Sequence, residues 1–171
     1  PIRELYQYDS GAVSLTSDGS DERLLVSDTI SIKRSPRPSV SKREVFSGNT
    51  LISDQDFTYI KPAYHKKYSR NIGYENTVLI DNVIGNRKEV VFYQDEYYRA
   101  GLLKKSTSQT KLGDNFDTIS ELTYGYLKKE PFYHVPVVTS VESEYINGEV
   151  KRSIHNVFNY DVYSRPSSTE I

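Results

Sequence analysis

Three histidines, His65, His134 and His155, are the side chains best suited to proton transfer or metal ligation near neutral pH, and they fall in three different segments. None has a second imidazole a few positions away, the spacing by which one element presents a pair to a metal. They read as ordinary surface or loop histidines. The acidic clusters "SDGSDE" at 17–22 and "GDNFD" at 113–117 offer the oxygen ligands calcium takes. Both lack the alternating aspartates, glycine and distal glutamate of a helical calcium loop, and turn chemistry accounts for Asp18, Gly19, Asp114 and Asn115. No metal and no cofactor is expected. With no cysteine in the chain, disulfides, thiolate zinc sites and a cysteine nucleophile are excluded. Serines are many, but there is no Gly-x-Ser-x-Gly elbow and no histidine placed to activate one. A carboxylate pair for glycoside hydrolysis can come from distant parts of a chain, and nothing in the sequence points to one. The expectation is a protein that is not an enzyme.

Binding surfaces are the next candidates. Lys33, Arg34, Arg37, Lys42 and Arg43 form a basic stretch that would suit phosphates or a sulfated glycan. The same charges on a loop or edge strand discourage pairing with a foreign strand. Tyrosines 64, 68, 74, 93, 97 and 98 make the densest aromatic region, interleaved with Lys66, Lys67, Arg70 and Arg99. Rings beside polar groups suit sugar stacking or peptide gripping, and equally a half-buried sheet face. Charge narrows the partners further. With 22 basic and 23 acidic side chains, the net charge of −1 supplies no general field for phosphate backbones or anionic lipids. Nucleic acid is therefore not an expected partner. No apolar run reaches the ~18 residues a spanning helix needs, so no membrane span is expected.

The elements that would position these groups are strands. Fifteen of the twenty-one aromatic residues are tyrosine and none is tryptophan, a composition suited to sheet faces that are apolar inside and wet outside. Strand composition marks 4–9 and 24–32. The stretch 33–43, with its prolines, serines and cations, reads as an extended connection or a strand edge. A hairpin is expected around "SGN" at 47–49, then a long loop over 61–76. The segment 77–98 reads as a hairpin turning at "IGNR", with Val78, Ile80 and Val83 before the turn and Val90, Val91 and Phe92 after it. Another hairpin joins "GLLKKSTSQT" to "ISELTYGYL" through "KLGDNFD", and 128–136 is a proline-bounded loop. Apolar residues nowhere recur with a helical period over three turns. The predicted fold class is all-β, with antiparallel hairpins in an extended or rolled sheet and little or no helix.

The clearest hairpin is "EYINGEVKRSIHNVFNYD". With Asn147-Gly148 as a type I′ turn, Ile146 faces Glu149, Tyr145 faces Val150 and Glu144 faces Lys151. Continued outward, the register pairs Val141 with Ile154, Val138 with Val157 and Val137 with Phe158. Tyr145, Val150, Val141, Ile154, Val137 and Phe158 would then share one apolar face, with a wet face opposite, as in an antiparallel sheet covered on one side. A ribbon of two strands is marginal alone in water, so the hairpin must lean on further strands.

The end of that hairpin, "YDVYSRPSSTEI", resembles the YD repeat of Rhs-type proteins. Tyr160 and Asp161 match the Tyr-Asp pair and Arg165 the arginine; Ser164 stands where the family prefers glycine, and Pro166 where it prefers an apolar residue. The order of segments over 77–171 is similar to the divergent Rhs-like proteins of the Bacteroidetes, with Gly101, Leu102, Leu103, Lys104 and Lys105 at their "GLL" element. The resemblance implies a coiling sheet of stacked hairpins that forms a shell in large secreted or surface-attached proteins. A slice of it would have no active site. Its structural motif residues would be Gly101, Leu102, Leu103, Asn147, Gly148, Tyr160, Asp161 and Arg165.

The chain is accordingly expected to divide into a strand-rich upstream segment, 1–76, with basic and tyrosine-rich loops, and Rhs-like hairpins over 77–171. The absence of methionine, with Pro1 first, suggests a piece of a longer or processed chain. The expected partners are neighbouring strands of the same polypeptide, an enclosed or displayed domain, or a surface glycan. The alternative is a self-contained β-sandwich that binds glycan or a surface partner through Tyr64, Tyr68, Tyr97 and Tyr98.

Overall fold

The computed structural model describes residues 2–9, 13–14, 30–32, 39–65, 70–94, 98–127, 136–161 and 165–170. Twelve strands make one open sheet: β1 (Ile2–Asp9), β2 (Val13–Ser14), β3 (Ile30–Ile32), β4 (Ser39–Ser47), β5 (Thr50–His65), β6 (Arg70–Asp81), β7 (Asn86–Phe92), β8 (Leu103–Leu112), β9 (Asn115–Tyr126), β10 (Val137–Ile146), β11 (Glu149–Tyr160) and β12 (Pro166–Glu170). From β4 onward the spatial order is the chain order, and β1 closes the near edge against β4. The long β5 is shared: β4 pairs with its first half, and β2 (parallel) and β3 (antiparallel) with its second. There is no helix among the described residues. The all-β, antiparallel expectation is therefore what the chain adopts, as a sheet that does not close. It is a single layer, so the two facing sheets of a sandwich are not the arrangement of the described residues.

A single layer changes what holds the fold together. Among the described residues only Val45, Pro62, Ala63 and Pro136 are buried apolar side chains. The expected division into one dry face and one wet face is absent, because among the described residues no second layer covers either. Cross-strand pairs replace a core, each worth about 0.2–1 kcal/mol. On one face they are polar. Lys42 Nζ meets Asp54 at 3.0 Å, Lys105 Nζ meets Glu121 at 2.6 Å, and Asn76 Nδ2 donates to Glu89 Oε1 at 2.6 Å. Arg87 lies beside Glu89 and over the Phe116 ring. On the other face large residues stand opposite small ones: Tyr59 by Thr77, Leu122 by Ser106, Tyr124 by Ser140 and Phe158 by Thr169. A ring can lean over a small neighbour and keep half its surface dry without a second sheet, which is how Ser140 comes to be buried.

Four local expectations are corrected. The span 61–76 is mostly strand, because β5 runs to His65 and β6 starts at Arg70. Lys61 takes a left-handed φ of 51° and Gly73 one of 97°, so the backbone bends without leaving the ladder. The β6–β7 turn is Asn82–Gly85, not "IGNR", and Val83 is at its tip, 48% exposed. Asp81 moves it, by accepting the amides of Val83 and Ile84. The β8–β9 connection tightens to Gly113-Asp114, with Leu112 opposite Asn115. In the last hairpin Ile146 and Tyr145 face Glu149 and Val150 as expected, but Glu144 pairs with Arg152. Lys151 is an extra residue, a β-bulge that slips every later pair by one. Val141 then faces His155, and Ile154 faces Glu142, so Val141 and Ile154 occupy opposite faces.

Candidate functional site

Two side-chain constellations stand out above the sheet. The first is the turn after β11. Tyr160 donates its hydroxyl to the Val137 carbonyl on β10 at 2.8 Å, across the width of the hairpin. Asp161 accepts from the Arg165 amide at 2.9 Å through Oδ1 and from Arg165 Nε at 2.8 Å through Oδ2, while its own amide donates to the Arg165 carbonyl. The Tyr-Asp pair and the arginine thus form one clasp that sends the chain back as β12. Its strength is in the turn bonds. The Arg165 side chain is 73% exposed, and an ion pair so placed contributes little. Asp161→Ala is therefore expected to destabilise the β11–β12 turn by about 1 kcal/mol, whereas Arg165→Ala costs less than half of that. Hydrogen exchange of the β12 amides measures both.

The second constellation gathers tyrosines and cations around Tyr93, at the start of the β7–β8 connection. Its hydroxyl donates to the Tyr124 carbonyl at 3.0 Å, its ring meets Tyr126 edge-on at 5.8 Å, and Tyr126 lies 6.3 Å from Tyr124. Arg99 stacks 4.4 Å from the Tyr93 centroid and 5.6 Å from that of Tyr98, and Lys104 Nζ is 5.6 Å from Tyr93. Burial pushes the Tyr126 hydroxyl to a higher pKa, with the neighbouring tyrosines adding to it. The connection is fixed from behind. The Tyr93 amide donates to the Leu102 carbonyl, Gly101 donates to the Tyr93 carbonyl, and Leu103 pairs with Phe92.

The sequence-predicted residues therefore fall into separate groups. Tyr160, Asp161 and Arg165 come together. Gly101, Leu102 and Leu103 frame the Tyr93 cluster. Asn147 and Gly148 form the β10–β11 turn with φ of 52° and 79°, as a type I′ turn requires. Tyr98 joins the cluster, whereas Tyr64 sits in β5 between Asn71 and Ser31; Tyr68 and Tyr97 lie outside the described residues. Tyr124 and Tyr126 escaped the sequence reading, although their i, i+2 spacing puts both on one strand face. His155 is on β11 and exposed, and no group of three metal-ligating side chains occurs among the described residues. The buried Ser140 accepts from Asn156 rather than from a histidine. Of the basic stretch, Lys42 and Arg43 point to opposite faces and each is ion-paired, to Glu44 and Asp54 and to Glu4; Lys33, Arg34 and Arg37 lie outside the described residues. Among the described residues no helix is long and apolar enough to cross a membrane. No family model, no curated protein and no solved structure matches the chain.

Proposed function

We propose that this chain is a structural length of β-sheet from a large secreted or cell-surface protein of the YD-repeat type, part of a wall that encloses or displays another domain and has no catalysis of its own. The observation that carries the reading is the single open layer: a run of strands in chain order, with almost no buried apolar side chains, supported by cross-strand pairs on both faces. Such a sheet is extended by adding strands at its edges, and the Tyr160–Asp161–Arg165 clasp is a unit that can repeat at each return of the chain. A structure of the parent polypeptide tests it. The sheet is expected to continue beyond β1 or β12 into neighbouring hairpins, with further Tyr-Asp turns closed on an arginine. Finding the segment as a free-standing module between flexible linkers would sink the proposal.

A second reading is favoured by the Tyr93 cluster, where aromatic faces and cations converge beside a connection. There the sheet would hold a surface glycan. Retention of the chain on a glycan array, lost in Tyr98→Ala, supports this reading, and a chain that retains no glycan removes it.

A further inference from the structure

Asparagine is among the thermolabile residues, and Asn147 is the one asparagine of nine in the chain that is followed by glycine. Each of the others precedes a residue whose side chain screens the next backbone amide. Asn147 and Gly148 are both exposed at the tip of the β10–β11 hairpin, and nothing lies within 4 Å of a Cβ built on Gly148. Ile146 pairs with Glu149 across the turn, so the Gly148 N–H lies outside the ladder, as in any two-residue type I′ turn. An unscreened amide nitrogen beside a carboxamide can close on it. The nitrogen gives up its proton and attacks the Asn147 Cγ, a succinimide ring forms and ammonia leaves. Water then opens the ring at either carbonyl, leaving aspartate or its β-linked isomer at position 147.

We infer that Asn147 is a site of spontaneous deamidation whose rate is set by opening of the β10–β11 hairpin tip. The closed turn holds the reacting groups apart. Asn147 has φ of 52° and Gly148 of 79°, and a type I′ turn couples the first of these to a ψ of about +30°. At that ψ the Gly148 nitrogen is nearly anti to the Asn147 Cβ across the Cα–C bond, whereas ring closure needs the two nearly eclipsed. Asn147 must therefore leave its left-handed conformation before it reacts. The tip opens readily: residues 149–153 are all exposed, and the Lys151 bulge interrupts the ladder just beyond the Tyr145–Val150 pair. Ladder ends with so little burial are the low-stability part of a sheet. The two products then diverge. Asp-Gly suits the same turn, so the aspartate form closes again. The β-linkage adds a methylene to the main chain inside the turn, so the isomer leaves the tip open. Nothing in this chemistry depends on the wall reading, which keeps its own experiment.

Incubation of the 171-residue chain in warm, mildly alkaline buffer tests the site, with peptide mapping and enzymatic methylation of isoaspartate as readouts and the same chain unfolded in urea as the open reference. Asn147 is expected to convert ahead of every other asparagine, and about tenfold more slowly in the native chain than in urea. Tyr145→Ala, which removes a cross-strand ring beside the turn, is expected to raise the native rate about threefold and leave the unfolded rate unchanged. Urea below the unfolding transition should accelerate the wild-type chain in the same way. Hydrogen exchange should show lost protection at the tip in the isoaspartyl product and none in Asn147→Asp. An Asn147 still intact in the native chain long after the unfolded chain has reacted to completion overturns the inference. So does a native rate equal to the unfolded one, or a native rate that neither Tyr145→Ala nor sub-denaturing urea changes.

Discussion

Asp81→Ala is expected to destabilise the protein by about 3 kcal/mol, more than any other single side-chain deletion on the sheet. The carboxylate is buried at the end of β6. Oδ2 accepts from the Ser53 hydroxyl at 2.6 Å and the Gln55 amide at 3.4 Å, and Oδ1 accepts from the backbone amides of Val83 and Ile84 at 3.0 and 3.1 Å. Deleting it leaves two turn amides and a strand hydroxyl without their acceptor, and it releases the turn whose Gly85 carbonyl accepts from Lys111 on the next hairpin. Burial by itself would raise the Asp81 pKa. The Ser53, Ile84, Val83 and Gln55 hydrogen bonds outweigh it and hold the group below its ordinary value of 3.8. A depressed folded-state pKa gives stability that is present above the unfolded value and is lost as pH falls through the folded one. Wild type should therefore lose stability relative to Asp81→Asn as the pH is lowered from about 5 toward 3. Denaturant midpoints at unchanged slope measure both effects. Parallel pH profiles for the two proteins would show that the carboxylate's charge is not what the site recognises.

The consequences of that deletion should be local, because each strand touches little beyond its sequence neighbours. In such a quasi-one-dimensional array, stability is close to a sum of neighbour terms. Lost protection is expected in β5 to β8 and not in β10 or β11. Arrangement in a line also explains what was legible in the sequence. The β4–β5, β8–β9 and β10–β11 hairpins could be read because their turns announce themselves: Gly48, Gly113 and Asn147-Gly148 all take positive φ where the chain reverses. The faces could not be read as easily. Lys151 has no compositional mark of a bulge, yet it flips the register of the whole hairpin beyond it. The 61–76 span misled because lysine, proline, tyrosine and glycine are loop-like in composition, while pairing of β5 with β3 and β6 keeps the backbone extended there. Asp81 was invisible for a different reason: its partners Ser53 and Gln55 come from a strand some thirty positions earlier in about one hairpin's distance of space, and nothing in local spacing encodes that meeting.

The clasp is the converse case. Tyr160, Asp161 and Arg165 were legible because all three lie in one turn, within reach of each other through local geometry. Their bond network then follows from short-range rules: an aspartate at a turn accepts the amide a few residues on, and the adjacent tyrosine reaches across the ladder. What local rules do not supply is a ligand. Both constellations are fastened to backbone carbonyls, through Tyr160 to Val137 and through Tyr93 to Tyr124. Their hydroxyls are thereby committed to binding strands together.

Gly101→Ala should destabilise the protein by about 2–4 kcal/mol, and a comparison separates its two causes. Gly101 has φ of 86°, where a side chain costs about 1 kcal/mol. A Cβ built there would also come within 2.9 Å of the Ile72 carbonyl oxygen on β6. A backbone carbonyl cannot swing aside as a side-chain tip can, so this contact adds about 1–3 kcal/mol. The Gly101 amide meanwhile donates to Tyr93 at 2.7 Å, so moving the turn to relieve the clash would strip the Tyr93 cluster of its support. Gly148 is the control. Its φ is 79°, nearly the same, and nothing lies within 4 Å of its added Cβ. Gly148→Ala should thus show the conformational cost alone, near 1 kcal/mol. Thermal or denaturant unfolding of the two variants gives the difference directly, and the fluorescence of the neighbouring tyrosines should shift only for Gly101→Ala. Equal losses for both replacements would mean that β6 yields to the added methyl, and that the β7–β8 connection is not anchored on Ile72.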